Sequence, residues 1–202
     1  MTKIKMCGLS RPCDIDYANQ VMPDFVGFVF AEKSKRYVSP EKALELRKNL
    51  DTNIIPVGVF VNAEKDFIAE LVNSKTIDIV QLHGIEDEEY INQLRKIITV
   101  PVIQAFKVCT PEDINKAINS PADYILLDSG SGSGKTFDHS LIQNINRPYF
   151  LAGGLTPENV GEISGRLQPY AVDASSSLET DGHKNLNKMT AFAEAIRKKG
   201  LI

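Results

Sequence analysis

The chain has 202 residues, of which 43% are hydrophobic and 24% are charged, and its formal net charge is −3 at pH 7. This length fits one domain over residues 1–202, and the apolar fraction is sufficient for a full core. The slight acidic excess gives no electrostatic case for a nucleic-acid partner, which favours a basic face. A small-molecule ligand is therefore the natural expectation.

Cysteine and histidine usage indicates neither a disulfide framework nor a metal site. The three cysteines form no close C-x-x-C pair: they are Cys7, Cys13 and Cys109. The three histidines lie far apart, without metal-ligand spacing. No apolar signal region opens the chain, and no window approaches the roughly 18 apolar residues of a membrane span. We expect a cytoplasmic protein with no metal and no membrane partner.

Short apolar segments alternate with amphipathic ones along the chain. The first, Ile4 to Cys7, ends in a cysteine and is followed by Gly8, a residue that permits a sharp turn. Phe25 to Phe30 is apolar throughout, as expected for a parallel strand covered on both faces. An N-cap hydroxyl, a proline and a carboxylate then recur as a helix start in three places. These are Ser39-Pro40-Glu41, Thr110-Pro111-Glu112 and Thr156-Pro157-Glu158.

This alternation predicts eight strands and eight helices. The strands are Ile4 to Cys7, Phe25 to Phe30, Val57 to Val61, Ile79 to Leu82, Val102 to Phe106, Tyr124 to Asp128, Tyr149 to Ala152 and Ala171 to Asp173. The helices are Cys13 to Val21, Pro40 to Lys48, Glu64 to Asn73, Glu86 to Ile97, Pro111 to Ile118, Ser140 to Ile145, Pro157 to Ser164 and Asn187 to Lys199.

The number of strands favours an α/β fold with one closed (β/α)8 barrel, the TIM barrel. Strand ends recur about every 20 to 30 residues, the length of one βα unit. An open doubly wound sheet more often has about five or six strands and, for a dinucleotide, the turn G-x-G-x-x-G after the first. That turn is absent here, since Gly8 is followed by Leu9, Ser10 and Arg11. With 202 residues, the barrel is expected to be of minimal size.

A barrel of this kind binds its ligand at the carboxyl ends of the strands, so the polar residues there are the functional candidates. They are Cys7, Arg36, Gln81, His83, Asp128, Gly153, Gly154, Asp173, Ser175, Ser176 and Ser177. Taken alone, Cys7 is better explained by core packing than by a catalytic role, because free cysteine is among the most buried residue types. Asp128 and Asp173 either cap the next segment or point into the barrel mouth. Arg36 belongs to a solvated charged loop, or it holds a substrate carboxylate with its planar guanidinium.

Two of the candidate loops occupy the usual phosphate position of the barrel, after strands seven and eight. Glycine lets the backbone approach a ligand closely, and N–H groups at a helix start favour an anion. We expect a phosphate to bind at Gly153, Gly154, Ser175 and Ser176, the alternative being two tight turns without a ligand.

The segment Gly132-Ser133-Gly134-Lys135-Thr136 resembles a nucleotide P-loop but does not match it. The motif G-x-x-x-x-G-K-[ST] requires a glycine where this chain has Ser129. It is interpreted as a loop over the barrel mouth, with Lys135 near an anion, or as a solvated loop without function.

Nine short blocks resemble the signature blocks of the phosphoribosylanthranilate isomerase family of tryptophan biosynthesis, in the family order from Lys5 to Lys184. The blocks are Lys5-Met6-Cys7-Gly8-Leu9-Ser10, Gly27-Phe28-Val29-Phe30, Ser34-Lys35-Arg36-Tyr37, Val59-Phe60-Val61-Asn62, Val80-Gln81-Leu82-His83-Gly84, Leu126-Leu127-Asp128, Gly132-Ser133-Gly134-Lys135-Thr136-Phe137-Asp138, Ala152-Gly153-Gly154-Leu155 and Val172-Asp173-Ala174-Ser175-Ser176.

The resemblance implies an Amadori rearrangement of N-(5-phosphoribosyl)anthranilate to 1-(2-carboxyphenylamino)-1-deoxyribulose 5-phosphate. The aspartate matching Asp128 is the family's general acid, which opens the furanose ring, and the cysteine matching Cys7 is the general base at C2. Arg36 would hold the anthranilate carboxylate, and His83 and Asp173 are expected to bind substrate. The iminium that ring opening creates is an electron sink within the substrate, so no cofactor is expected. A general base must be a thiolate, so Cys7 is expected to be sufficiently exposed to solvent for its thiol to ionise in part.

Three positions depart from the family pattern: Ser177 replaces a glycine, Asn185 an aspartate and His139 a tryptophan. These changes bear on phosphate contacts and loop closure. A related histidine-pathway isomerase is an alternative, but it would be expected to use two carboxylates. A catalytically silent barrel that binds a phosphosugar and regulates a partner is another, and it would tolerate loss of Cys7 or Asp128. The chain is expected to be a monomer or a homodimer.

Overall fold

A computed structural model describes residues 1–128, 142 and 145–198. Eight parallel strands form a closed barrel in sequence order, which confirms the predicted fold. The strands are Lys3–Cys7 (β1), Phe25–Val29 (β2), Ile55–Phe60 (β3), Ile79–Leu82 (β4), Val102–Lys107 (β5), Tyr124–Asp128 (β6), Tyr149–Leu151 (β7) and Ala171–Ala174 (β8).

Helices connect the strands and cover the outside of the barrel. In the described part of the chain they are Pro12–Val21 (α1), Pro40–Lys48 (α2), Lys65–Asn73 (α3), Glu88–Leu94 (α4), Pro111–Ile118 (α5), Val160–Leu167 (α6) and Leu186–Arg197 (α7). None of these helices is long and apolar enough to cross a membrane. Most of the predicted helix Ser140 to Ile145 lies outside the described residues.

The register of β1 closes the barrel and determines which side chains enter it. Lys5 pairs with Phe25 of β2 on one side and with Asp173 of β8 on the other. Because alternate residues of a strand point to opposite faces, Lys5 and Cys7 share the inner face. The apolar residues of the barrel interior form one buried cluster: Phe25, Val57, Ile79, Ile103, Leu126, Phe150, Ala152 and Ala171.

Aromatic rings fill the end of the barrel where the strands begin. Phe25 and Phe150 have ring centroids 5.5 Å apart, and Tyr124 stacks on Tyr170 at 5.0 Å. The Lys3 ammonium lies 5.0 Å from the Tyr170 ring and hydrogen-bonds its hydroxyl. With this end packed, the polar space of the barrel lies towards the carboxyl ends of the strands.

The segment after β7 differs from the prediction. Thr156-Pro157-Glu158 was expected to start a helix, but α6 begins only at Val160. The Asn159 side chain accepts a hydrogen bond from the Thr156 N–H and donates one to the Gly154 carbonyl. These bonds form a turn that leads directly into α6, since the Val160 N–H donates to the Thr156 carbonyl at 3.0 Å, so the helix starts later than the pattern at Thr156 predicted.

A two-stranded hairpin that was not predicted follows β8. Its strands are Glu179–Thr180 (β9) and His183–Lys184 (β10). Asp181 and Gly182 form the turn, with φ values of +52° and +78°. Positive φ at both central residues is characteristic of a type I′ turn, for which Asp-Gly is a preferred sequence. The dipeptide was therefore a usable signal for this hairpin.

Candidate active site

A cavity of about 800 Å³ opens at the carboxyl ends of the strands, and residues from the ends of all eight strands line it. Nine residues predicted from the sequence are among them: Cys7, Arg36, His83, Asp128, Gly153, Gly154, Asp173, Ser175 and Ser176. The barrel thus gathers candidates that are up to 169 residues apart in sequence, from position 7 to position 176. Its volume lies in the usual range for a small-molecule site, about 300–1,000 Å³.

Cys7 lines this cavity but is only 9% exposed, which is more enclosed than expected. Burial raises the pKa of the Cys7 thiol above its ordinary value, and the positive charges of Lys5 and Lys184 partly oppose that rise. The space for the thiol is provided by Gly27 on β2, because a Cβ atom there would lie 2.6 Å from Cys7 Sγ. The absence of a side chain at Gly27 therefore fixes where the thiol can sit.

The Gly27→Ala variant is expected to displace the Cys7 thiol and to lower kcat by up to about 10²-fold, the usual cost of misplacing a reacting group by about 1 Å. The backbone of Gly27 does not have a positive φ, so the effect would come from crowding. Gly58→Ala is the matched control, since a Cβ there would meet Ile77 and Phe60 at 2.6 and 2.8 Å, away from Cys7.

Steady-state kinetics and thermal unfolding of the two glycine variants separate the possibilities. Both should lose stability through overpacking, by about 1–3 kcal/mol. Only Gly27→Ala should also lose kcat. An equal loss of kcat in Gly58→Ala would show that crowding acts through general stability and not through the thiol.

Asp173, in the cavity wall, forms an ion pair with Lys5. Its two carboxylate oxygens accept hydrogen bonds from the Lys5 ammonium, both at 3.0 Å, and Lys5 is completely buried. Asp173 was predicted from the sequence as a site residue, whereas Lys5 was not. A lysine between Ile4 and Met6 on a strand bound for the barrel interior was the signal that could have revealed it.

Asp128 ends β6 beside His83, with 3.8 Å between Asp128 Oδ2 and His83 Nε2. Gln81 Nε2 lies 3.1 Å from His83 Nδ1. If Gln81 donates this hydrogen bond, neutral His83 carries its proton on Nε2, facing Asp128. The Asp128 side chain is 27% exposed, so it is accessible from the cavity.

The Arg36 guanidinium is bound by a carboxylate from the β9–β10 hairpin. Arg36 Nε and Nη2 donate to the two oxygens of Glu179, at 2.6 and 2.8 Å. Glu179 also accepts a hydrogen bond from Lys184 at 2.5 Å. The ion pair with Glu179 raises the pKa of Arg36, and burial lowers the pKa of Lys184 despite its carboxylate partner. Arg36 was predicted from the sequence as a site residue, whereas its partner Glu179 and the neighbouring Lys184 were not.

The two loops predicted to bind phosphate both border the cavity. Gly153 and Gly154 have φ values of +88° and +65°, a conformation that favours glycine. The Ser175 hydroxyl donates to the Cys7 carbonyl at 2.9 Å, which joins the ends of β8 and β1. Ser176 begins a short 3-10 turn, Ser176–Leu178. The first N–H groups of such a turn have no partner within it, so they can bind an anion.

Two of the three departures from the family pattern fit the structure. Ser177 lies in the 3-10 turn, so its backbone does not require glycine. Asn185 is the N-cap of α7 and accepts a hydrogen bond from the Lys188 N–H at 3.2 Å. Asparagine and aspartate are similarly good N-caps, so this exchange is conservative. His139 and the segment Gly132 to Thr136 lie outside the described residues.

The described residues contain no cluster of three or more His, Cys, Asp or Glu side chains placed to hold a metal ion. Their polar groups are arranged instead as one thiol, one carboxylate beside a histidine, and several cations close to carboxylates. Such a set can supply a base and an acid on opposite parts of a cavity and can bind anionic substituents of a ligand.

Comparison with known proteins identifies relatives over almost the whole chain. The family profile described as N-(5'-phosphoribosyl)anthranilate (PRA) isomerase matches residues 4–195. An N-(5'-phosphoribosyl)anthranilate isomerase of Endomicrobium trichonymphae is 45% identical over 202 residues, which cover 98% of this chain and 99% of the relative. The enzyme of that name from Caldanaerobacter subterraneus is 42% identical over 204 residues, 98% of each chain.

Solved structures agree with the sequence relatives. Phosphoribosyl anthranilate isomerase from Thermotoga maritima superposes with a TM-score of 0.88 at 37% identity, covering 98% of this chain and all of the other. A second solved structure has a TM-score of 0.88 at 36% identity and covers 98% of this chain and all of the other. It is a phosphoribosyl anthranilate isomerase in complex with reduced 1-(o-carboxyphenylamino)-1-deoxyribulose 5-phosphate. The 3-hexulose-6-phosphate synthase of Salmonella typhimurium, at 13% identity and TM-score 0.75, shares the fold.

Proposed function

The chain belongs to the N-(5'-phosphoribosyl)anthranilate isomerase family of tryptophan biosynthesis, and we propose that Cys7 and Asp128 carry its reaction. The substrate is N-(5-phosphoribosyl)anthranilate and the product is 1-(2-carboxyphenylamino)-1-deoxyribulose 5-phosphate. The observation that supports these roles is the placement of a thiol and a carboxyl at separate strand ends of one cavity. They can thus reach different atoms of one bound sugar.

Asp128 acts first, as the general acid. Its carboxyl group gives a proton to the furanose ring oxygen while the bond between that oxygen and C1 breaks. The lone pair of the anthranilate nitrogen forms the new double bond to C1, which leaves an iminium. His83 Nε2 lies 3.8 Å from Asp128 Oδ2 and faces the carboxyl group, and solvent in the cavity can return the proton to Asp128, whose side chain is 27% exposed.

Cys7 acts second, as the general base. Its thiolate takes the proton from C2, and the electron pair of the C2–H bond forms a C1–C2 double bond as the iminium nitrogen becomes neutral. The resulting enolamine then moves a proton from the C2 hydroxyl to C1 and becomes the ketone. Because the iminium acidifies C2, the site needs no external electron sink.

The remaining polar groups would hold the two anionic ends of the substrate. Arg36 keeps N–H donors besides those bound to Glu179, since a guanidinium has five, and these can bind the anthranilate carboxylate. The phosphate is assigned to the loops containing Gly153, Gly154, Ser175 and Ser176. Asp173 lines the cavity, and the free lone pairs of its carboxylate can accept a sugar hydroxyl.

Direct turnover tests this function against the two alternatives. The purified chain should convert N-(5-phosphoribosyl)anthranilate, with loss of anthranilate fluorescence and formation of the ketone. It should convert the histidine-pathway aldose far more slowly, since a thiol stands where that enzyme would be expected to have a carboxylate. A chain that binds the anthranilate substrate without converting it would be the silent barrel, and preference for the histidine-pathway substrate would also overturn the proposal.

The assembly and location of the chain remain predictions. One solved relative from Thermotoga maritima is described as a dimeric enzyme from which monomers were generated. We infer that this chain works as a monomer or a homodimer in the cytoplasm, which sedimentation and cell fractionation can check.

A further inference from the structure

Lys5 is a buried cation for which the mechanism above has no role. Its side chain is completely buried inside the barrel, on the same face of β1 as Cys7. Burying an ammonium is costly unless it is paired, and Asp173 supplies the pairing through two hydrogen bonds of 3.0 Å. The partners come from the first and the last barrel strands. The ion pair therefore fixes the ammonium in one place under the cavity.

The Lys5 ammonium has three N–H donors, and the Asp173 oxygens take two of them. Cys7 lies two residues further along the same inner face of β1 and is also buried, so the ammonium and the thiol interact electrostatically in an enclosed space. Burial alone would lower the pKa of Lys5, but Asp173 and Cys7 together raise it above its ordinary value. The raised pKa keeps the ammonium positively charged beside the thiol.

Other charged groups face Cys7 from three directions. Asp173 on β8 opposes ionisation of the thiol, whereas Lys184 on the β9–β10 hairpin favours it. Arg36, on the loop after β2, also interacts electrostatically with Cys7. Lys184 and Arg36 share the carboxylate of Glu179, which weakens their effect on other anions. Among these cations, Lys5 is the one that lies on the same strand face as Cys7, is completely buried, and opposes the rise in the Cys7 pKa most strongly.

We propose that Lys5, fixed by Asp173, is a positioning residue whose positive charge stabilises the Cys7 thiolate for removal of the C2 proton. This inference rests on the base role proposed for Cys7. The charges balance without any proton transfer by Lys5: the thiolate becomes a thiol as the iminium becomes a neutral enolamine. The ion pair thereby allows an enclosed thiol, which burial would keep neutral, to act as a base.

The pH dependence of Cys7 alkylation by iodoacetamide tests this role without using turnover. Cys13→Ser and Cys109→Ser provide a background in which Cys7 is the remaining thiol. The alkylation midpoint is the pH at which Cys7 reacts at half its maximal rate. In that background, Asp173→Asn should move this midpoint to lower pH, because the Lys5 ammonium then faces the thiol without the Asp173 carboxylate. Lys5→Met combined with Asp173→Asn should move the midpoint to higher pH, by about 1 to 3 units relative to Asp173→Asn.

Lys3→Met is the matched control, since Lys3 lies on the same strand but contacts the Tyr170 ring at the opposite end of the barrel. Its midpoint should equal that of the background. Equal midpoints in all variants, confirmed as folded by circular dichroism, would overturn the proposal. If Lys5→Met with Asp173→Asn does not fold, Lys5→Gln with Asp173→Asn replaces it, since both new side chains are polar, and it should show the same shift to higher pH relative to Asp173→Asn. Retained turnover in Cys7→Ser would overturn the base role itself, whatever the alkylation midpoints show.

Discussion

Replacing Cys7 by alanine should lower kcat by about 10²- to 10⁴-fold, the usual contribution of one general base. Cys7 is the group assigned to the C2 proton, and alanine leaves no atom that can accept it. Because the site is enclosed, water is poorly placed to substitute. Steady-state assays that follow anthranilate fluorescence would measure the loss.

Two observations would show that the loss is chemical. The thermal unfolding of Cys7→Ala should show a modest loss of stability, since the substitution removes one sulfur atom from the wall of an existing cavity. Cys13→Ala, a change of the same type on α1, should keep its activity. Near-normal turnover in Cys7→Ala would contradict the base assignment.

Asp128→Asn is expected to lower kcat by a similar factor, about 10²- to 10⁴-fold. The amide has almost the same shape and can still hydrogen-bond a substrate, but it cannot give a proton to the ring oxygen. KM should change much less than kcat, because the lost interaction is specific to the transition state. The same fluorescence assay over a range of substrate concentrations separates the two constants.

Asp16→Asn is the control for charge, since Asp16 is exposed on α1 outside the cavity. It should leave both constants unchanged. A large rise in KM with kcat retained in Asp128→Asn would instead make Asp128 a binding residue.

Elements with explicit local signals were predicted well. β4, β6, α2 and α5 have the predicted bounds, and both helices start with a hydroxyl cap followed by proline. α4 starts later than predicted, because the Glu86 carboxylate binds the N–H groups of Asn62 and Gly84. β3 starts earlier than predicted, since the strand includes Pro56, which sequence rules exclude from strand interiors.

The positions of the candidate site residues followed from the fold, but their partners did not. Strand ends of a closed barrel must meet at one rim, which brought Cys7 and Asp128 to one cavity. The pair Lys5 and Asp173 spans 168 residues, and the pair Arg36 and Glu179 spans 143. Such pairing depends on barrel register and on a hairpin beyond the last strand, which single-sequence periodicity does not predict.

The proposed roles, Cys7 as general base and Asp128 as general acid, are tested most directly by single-turnover kinetics with substrate deuterated at C2. Enzyme is used in excess, so product release does not contribute to the rate. Cys7→Ser should show a primary isotope effect, because removal of the C2 proton limits its rate. Asp128→Asn should show none, because ring opening limits it instead. An isotope effect in Asp128→Asn together with none in Cys7→Ser would contradict the proposed roles.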